Sequence, residues 1–256
     1  MATRAAPNVD AIGAALAREE FRLVVAAGGD GTVAEVMAAA YGRALPVGIV
    51  PRGTANIVAR ELALPATWRA AARHALERFP RCRRVDLARV NDGYSVLAAG
   101  MGFDVSVMRH TPQILKYWLG RTAYLLAGAW WLPRAPLFDC RIRADSAEIT
   151  IEAVAVLVVN AGMLGGARFR FGPGIALDDG WLDLCVYHPR SLADRLAVLR
   201  SLVAGIHDRR PDIICRKVRT AEIKAPRLSH YEVDGDVHRG NVLRVEILPG
   251  GISVVA

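Results

Sequence analysis

Residues 28–32 read Gly28-Gly29-Asp30-Gly31-Thr32 and directly follow a short apolar run at residues 21–25. A glycine-rich turn between a strand and a helix lets backbone N–H groups converge on an anion, and the helix N-terminus favours negative charge there. Asp30 in the middle of such a cradle would repel a phosphate. It makes sense if a magnesium ion bridges the two or if a hydroxyl proton has to be accepted. The spacing is neither the GxGxxG dinucleotide fingerprint nor a Walker A loop, since no Gly-Lys-Ser/Thr follows. The plainer alternative is a sharp strand-to-helix turn with Asp30 as its N-cap. A second turn, Pro51-Arg52-Gly53-Thr54-Ala55-Asn56, follows the apolar residues 47–50. In a parallel sheet it would lie at the same carboxyl-end edge as the first. Thr54 and Asn56 can each hydrogen-bond a phosphate, a ribose or a carboxylate, although Thr54 could simply cap a helix. Two later Asp-Gly pairs stand in Asp179-Gly180-Trp181-Leu182-Asp183 and Val233-Asp234-Gly235-Asp236; taken alone, each reads as an ordinary turn.

The elements that must position these residues alternate in type. Helical spacing covers residues 9–18, 32–41, 55–62 and 67–78, with β-rich pieces at 22–26 and 46–50. That order predicts a parallel sheet covered by helices. From residue 83 the pattern changes: residues 83–90 and 94–99 flank Asn91-Asp92-Gly93, a strong hairpin signal. A helical stretch at about 103–132 ends at Pro133. Strand candidates follow at 137–144, 148–152, 153–160, 181–187, 228–233, 242–247 and 252–255, interrupted by a helix at 191–206. The expected fold is therefore an N-terminal α/β nucleotide domain (residues 1–84) and a C-terminal antiparallel β-sandwich (residues 85–256).

At 256 residues and 53% hydrophobic composition the chain is long and apolar enough for one large or two ordinary globular domains. Its four cysteines are widely separated and lack CxxC spacing, so they read as small core residues rather than a disulfide frame or zinc site. The longest nearly apolar segment, residues 122–132, is too short to span a bilayer, and no signal peptide opens the chain, so a cytoplasmic location is expected. The net charge of +8 would suit an anionic partner, but Lys116, Lys217 and Lys224 are its only lysines. An arginine bias of that kind follows from base composition alone, and nucleic acid is not an expected partner.

The GGDGT and PxGTxN motifs resemble the catalytic domain shared by soluble diacylglycerol, sphingosine and ceramide kinases and their bacterial relatives. The resemblance continues through Gly100-Met101-Gly102-Phe103-Asp104, Lys116…Gly120…Tyr124, Val159-Asn160 with Gly165-Gly166, and Pro173…Asp179-Gly180-Trp181-Leu182-Asp183. It reaches Val233-Asp234-Gly235-Asp236 near the end of the chain. NAD kinases share GGDGT, but their second motif lacks the GTAN pattern. The resemblance implies a lipid kinase that transfers the ATP γ-phosphate to a hydroxyl of diacylglycerol or a related lipid with magnesium, a reaction of phospholipid metabolism. Gly28, Gly29, Gly31, Thr32, Gly53, Thr54 and Asn56 would bind ATP, and Asp30 and Asp236 are the candidates for the general base or a metal-linked carboxylate. By resemblance Asp104 joins their network, and Asp179 and Asp183 match a structural magnesium loop. Asp234 is expected to serve the turn. Lys116, Tyr117, Trp118, Arg121 and the aromatic run 123–131 could seat the protein on an anionic membrane, and equally fit a core helix.

Two departures stand against the family pattern. The family opens with a strand and an NPxSG-like loop, whereas residues 1–20 here carry no such motif. The expectation is either an upstream start or weakened ATP binding, and a sheet edge that could support a homodimer. The glutamate of the family's late DGE is Asp236 here, which shortens its reach by roughly 1.5 Å. A catalytically impaired lipid- or membrane-binding protein and an NAD kinase-like enzyme are the competing expectations.

Overall fold

The computed structural model describes residues 9–18, 20–102, 132–166, 169–171, 174–204 and 210–256. Helix α1 (Val9–Leu16) packs beside α2 (Asp30–Ala40), which follows strand β1 (Val24–Gly28). Strand β2 (Val47–Pro51) runs parallel to β1, in register from Val24 opposite Val47 to Gly28 opposite Pro51. Helices α3 (Ile57–Glu61) and α4 (Trp68–Arg78) follow, and Thr67 caps α4 by accepting from Ala70 N at 3.4 Å. The alanine-rich face of α2 lets it lie close to the sheet. Val33, Met37, Ala39 and Ala40 are buried there with Val47, Ile49 and Val58.

Strand β3 (Cys82–Val90) turns at Asn91 into the short β4 (Gly93–Ser95) and then into β5 (Ala98–Gly102). The expected partner of β3 at residues 94–99 is thus split between two sheets. β4 pairs with β3, while β5 lies in the opposite layer. After a 3-10 turn (Leu132–Arg134) come β6 (Phe138–Ala144), β7 (Ala147–Ala153), β8 (Ala155–Val159), β9 (Met163–Gly166), β10 (Phe169–Arg170) and β11 (Leu182–Tyr187). Helix α5 (Leu192–Ala204) is followed by β12 (Ile213–Val218), β13 (Thr220–Lys224), β14 (His230–Val233), β15 (Asp236–Arg239) and β16 (Val242–Val255). The helix expected at 103–132 falls outside the described residues except for Leu132.

Among the described residues, one sheet runs β1-β2-β16-β13-β6-β7, with β3 also on β16 and β4 on β3. A second runs β12-β11-β8-β5-β14-β15. The inner faces of the two sheets bury Met101, Phe138, Ile142, Leu182, Ile223 and Leu243 between them, which is the core of an antiparallel sandwich. The fold is the expected one: an α/β unit followed by a β-sandwich.

Strand β16 joins the two units. It pairs antiparallel with β13 and β3, and its end runs parallel to β2 at Val254 opposite Val47. The sequence suggested two strands here, broken at Pro249-Gly250-Gly251. The chain instead continues as one strand with a register shift between Leu248 and Ile252, and Gly250 supplies a positive φ of 56°. β3 likewise serves both units, giving Val85 and Leu87 to the α/β core and Ala88 and Val90 to the sandwich.

The cysteines depart from expectation in part. Cys140 and Cys185 are core residues, but Cys82 and Cys215 are exposed. Cys185 and Cys215 face each other across β11 and β12, with sulfurs 3.0 Å apart. Separation in sequence concealed that contact.

Candidate active site

The two glycine turns form one surface. Gly28 closes β1 and its carbonyl accepts from Arg52 N at 2.8 Å, so the parallel pairing extends into the second turn. Gly29 is the N-cap of α2 and touches Gly53. A Cβ on Gly53 would come within 2.5 Å of the Gly29 Cα and 3.0 Å of Asn56 Oδ1. A Cβ on Gly28 would come within 2.5 Å of both Cβ and Oγ1 of Thr32. Three of the glycines therefore permit close approach of protein to protein. Gly31 differs: a Cβ there would meet nothing within 4 Å, and the residue is exposed on the first turn of α2. The first intrahelical bond of α2 runs from Val33 N to Gly29 O, which leaves the preceding N–H groups outside the helix's own ladder.

Asp30 does not cap its own helix. Its Oδ1 reaches across to accept from Val58 N, at 3.1 Å, at the start of α3. The backbone N–H groups of Ile57 and Asn56 also stabilise its charge, yet burial is the larger influence and raises the carboxyl above its ordinary 3.8. Asn56 adopts a left-handed conformation (φ 48°) and closes the second turn on itself. Its amide donates to Gly53 O and its Oδ1 accepts from Gly53 N, both at 2.8 Å. Thr54 is exposed within that turn and Thr32 is half-buried beside Gly28. The seven nucleotide-site candidates and Asp30 thus gather at one end of β1 and β2.

Asp236 stands on the other unit. The β14–β15 turn has Asp234 (φ 49°) and Gly235 (φ 94°) at its centre, with Val233 opposite Asp236, and this fixes Asp236 as the exposed first residue of β15. Asp234 holds the turn down. Its carboxylate accepts from Ser95 Oγ at 2.7 Å and from the backbone of Val96, Leu97 and Ala98 at 2.9, 2.9 and 3.1 Å. Burial raises the pKa of Asp234 against the pull of these donors. This clamp also explains why the chain leaves β4 for the opposite sheet at residues 96–97.

A line of hydrogen bonds connects the two carboxylate-bearing turns. Leu97 O accepts from Asn160 N and Ala161 N, and Asn160 Nδ2 donates to Val96 O at 2.8 Å. Two residues on, Met163 N donates to Glu61 Oε1 at 2.6 Å, and Glu61 ends the helix whose start binds Asp30. Asp104 lies outside the described residues, as do Lys116 and the aromatic run.

Asp179 and Asp183 belong to the neighbouring β11 end, where Asp183 stands opposite Val159. Asp179 Oδ1 accepts from Trp181 N at 2.9 Å, and its other oxygen meets the Lys217 ammonium, which also lies 3.8 Å from Asp183 Oδ2. Among the described residues no group of three or more His, Cys, Asp or Glu is placed to hold a metal. Asp86, missed in the sequence as one polar residue of a strand, organises this loop. It is 2% exposed and accepts from Gly180 N at 2.7 Å and Gly250 N at 2.6 Å. Burial, helped by the carboxylates of Asp179 and Asp178, raises its pKa. Its place inside the run Val85-Asp86-Leu87-Ala88, buried on both faces of the strand, was the hint of such a role in the sequence.

Comparison with known proteins agrees with the fold. Residues 1–90 match the family model of the diacylglycerol kinase catalytic domain, and residues 96–256 that of the YegS C-terminal NAD kinase beta sandwich-like domain. A "Probable lipid kinase YegS-like" of Klebsiella pneumoniae is 31% identical over 233 residues, covering 90% of this chain and 76% of that protein. A Staphylococcus haemolyticus diacylglycerol kinase is 28% identical over 221 residues, or 86% of this chain and 66% of its own length. An uncharacterized Synechocystis protein is 29% identical over 237 residues and is spanned for only 54% of its length, against 91% of this chain. A crystal structure of a diacylglycerol kinase from Bacillus anthracis superposes with a TM-score of 0.73 at 20% identity, covering 99% of this chain and 82% of that one.

Proposed function

We propose a reaction for a chain that belongs to the diacylglycerol kinase-like family of lipid kinases: transfer of the terminal phosphoryl group of magnesium-bound ATP to a hydroxyl of diacylglycerol or a related lipid. The observation that carries the reading is the Asp30 carboxylate, held by the start of α3 directly after the second turn, where Gly29 and Gly53 bring both turns together. ATP phosphates would lie on the backbone of Gly28, Gly29, Gly31 and Thr32, with Gly53, Thr54 and Asn56 on the opposite side. MgATP enters as a substrate, and its magnesium offsets the negative charge of Asp30 beside the phosphates.

A lipid hydroxyl is a weak nucleophile, and a carboxylate that accepts its proton contributes about 10²–10⁴-fold in rate. Asp30 suits that task through its raised pKa, and Asp236 is the second carboxylate that could share it. Phosphoryl transfer otherwise asks the protein mainly for positioning and charge neutralisation. A bilayer substrate also calls for peripheral contact with a membrane, and no helix of the described residues is long and apolar enough to cross one.

The test is transfer of labelled phosphate from MgATP to a panel of hydroxyl-bearing lipids in mixed micelles. The wild-type chain should label a lipid and Asp30→Asn should not. Labelling of NAD in place of every lipid, or equal labelling by the two proteins, would overturn the proposal.

A further inference from the structure

We propose that the loop preceding β11 carries its own permanent cation, the ammonium of Lys217, and binds no metal ion. Lys217 Nζ donates to Gly174 O at 3.2 Å and to the Asp179 carboxylate, and it lies 3.8 Å from Asp183 Oδ2. Those are the oxygens that a structural magnesium ion would draw on here. The ammonium does not arrive by chance of a long side chain, because Lys217 stands directly opposite Asp183 in the β11–β12 register.

The residue type is informative as well. Lysine and arginine together number 33, and only Lys116, Lys217 and Lys224 are lysine. Against that bias, a lysine occupies a place where three oxygens surround a single charge. A compact ammonium suits such a site, whereas the planar guanidinium fork is built for bidentate pairing with one carboxylate. The neighbouring Asp178 does have such a partner, since Arg83 reaches it through Nε at 2.7 Å and through its terminal nitrogen at 2.6 Å.

The carboxylates require a counter-charge. The side chain of Asp183 is only 13% exposed and that of Asp179 24%, and the buried Asp86 adds a third acid to the same region. Magnesium demands near-octahedral oxygen coordination at short distance and gives up water reluctantly. One or two carboxylates with water suffice for that ion, but here the Asp179 carboxylate already holds Trp181 N–H and, with Asp183 and Gly174 O, faces an ammonium that stands where the ion would sit and would repel it. The residues present do not fit a structural magnesium. The inference is independent of the kinase reading, which needs magnesium only on the nucleotide.

The test uses the nucleotide-free full chain, comparing thermal unfolding in EDTA with unfolding in about 10 mM magnesium or calcium. Wild-type melting should move by less than about 1 °C, because a site that does not bind gains nothing by mass action. Lys217→Ala should melt about 2–4 °C lower in EDTA and recover part of that loss when divalent cation is added. A wild-type gain of several degrees that Asp179→Asn abolishes would overturn the proposal, as would a Lys217→Ala protein as stable as wild type and indifferent to cation. Should Lys217→Ala fail to fold, calorimetric titration of the wild-type chain with manganese alone decides: binding that Asp179→Asn removes contradicts the inference, and no such binding supports it.

Discussion

Asp30 is a carboxylate whose burial raises its pKa while the backbone N–H groups of Val58, Ile57 and Asn56, at the start of α3, and its own restrain the rise. If Asp30 is the proposed base it must be ionised to accept a proton, and activity should fall as pH drops through this pKa. The acid limb of kcat/KM should therefore lie above the ordinary carboxylate value of 3.8. Asp30→Asn keeps the shape but has no base; it should lose at least about 10²-fold in phosphoryl transfer while remaining folded. Asp236 offers a separate outcome in the same assay. If this exposed residue shares the proton-accepting role, Asp236→Glu raises turnover by restoring reach, and Asp236→Asn lowers it. The position of Asp30 within GGDGT was legible in the sequence, but its partner was not. A turn-and-helix reading places Asp30 as the cap of its own helix, whereas the carboxylate spans to Val58, 28 residues on. Local pattern cannot report a contact that only the parallel pairing of β1 with β2 creates.

At the scale of elements, the buried Asp86 and the half-buried Asp234 set the path of the chain. Asp234 takes one hydroxyl and three backbone donors at the crossing from β4 to β5, and Asp86 takes two backbone donors, one from the Gly180 loop and one from the β16 irregularity. Removing either leaves several donors buried without an acceptor. Asp234→Ala and Asp86→Ala should each cost about 2–4 kcal/mol, read as a lower urea midpoint at unchanged m-value. Strands with clean alternation, such as residues 138–144, were legible. Those at 213–218, 220–224 and 236–239 were not assigned from the sequence, because they carry Arg216, Lys217, Lys224 and Arg239 on exposed faces and give a weak apolar signal. The single strand β16 was read as two for a related reason: Pro249-Gly250-Gly251 is a strand-breaking sequence whose Gly250 N–H is held by Asp86.

At the scale of the whole molecule, an α/β unit and a sandwich are tied by β3 and β16, so the two glycine turns and the β14–β15 turn stand on one continuous framework. The order of motifs along the chain made the fold and the family legible. The lipid was not, because apolar lining residues are interchangeable without loss of burial. Lipid contact is open to direct measurement: the chain should sediment with anionic vesicles at low salt and be released as ionic strength rises, in line with its net charge of +8. The most direct test of the site separates fold from ligand at one glycine. Gly53→Ala forces the two turns apart and should lower stability, but Gly31 has open space where a methyl group would stand. The measurement is MgATP affinity of Gly31→Ala against wild type, with thermal unfolding recorded on the same samples. A melting temperature within about 1 °C of wild type and an affinity at least about tenfold weaker are predicted, since the added methyl would occupy space that phosphate needs. Unchanged affinity in a stable Gly31→Ala protein would contradict the placing of ATP phosphates on these turns.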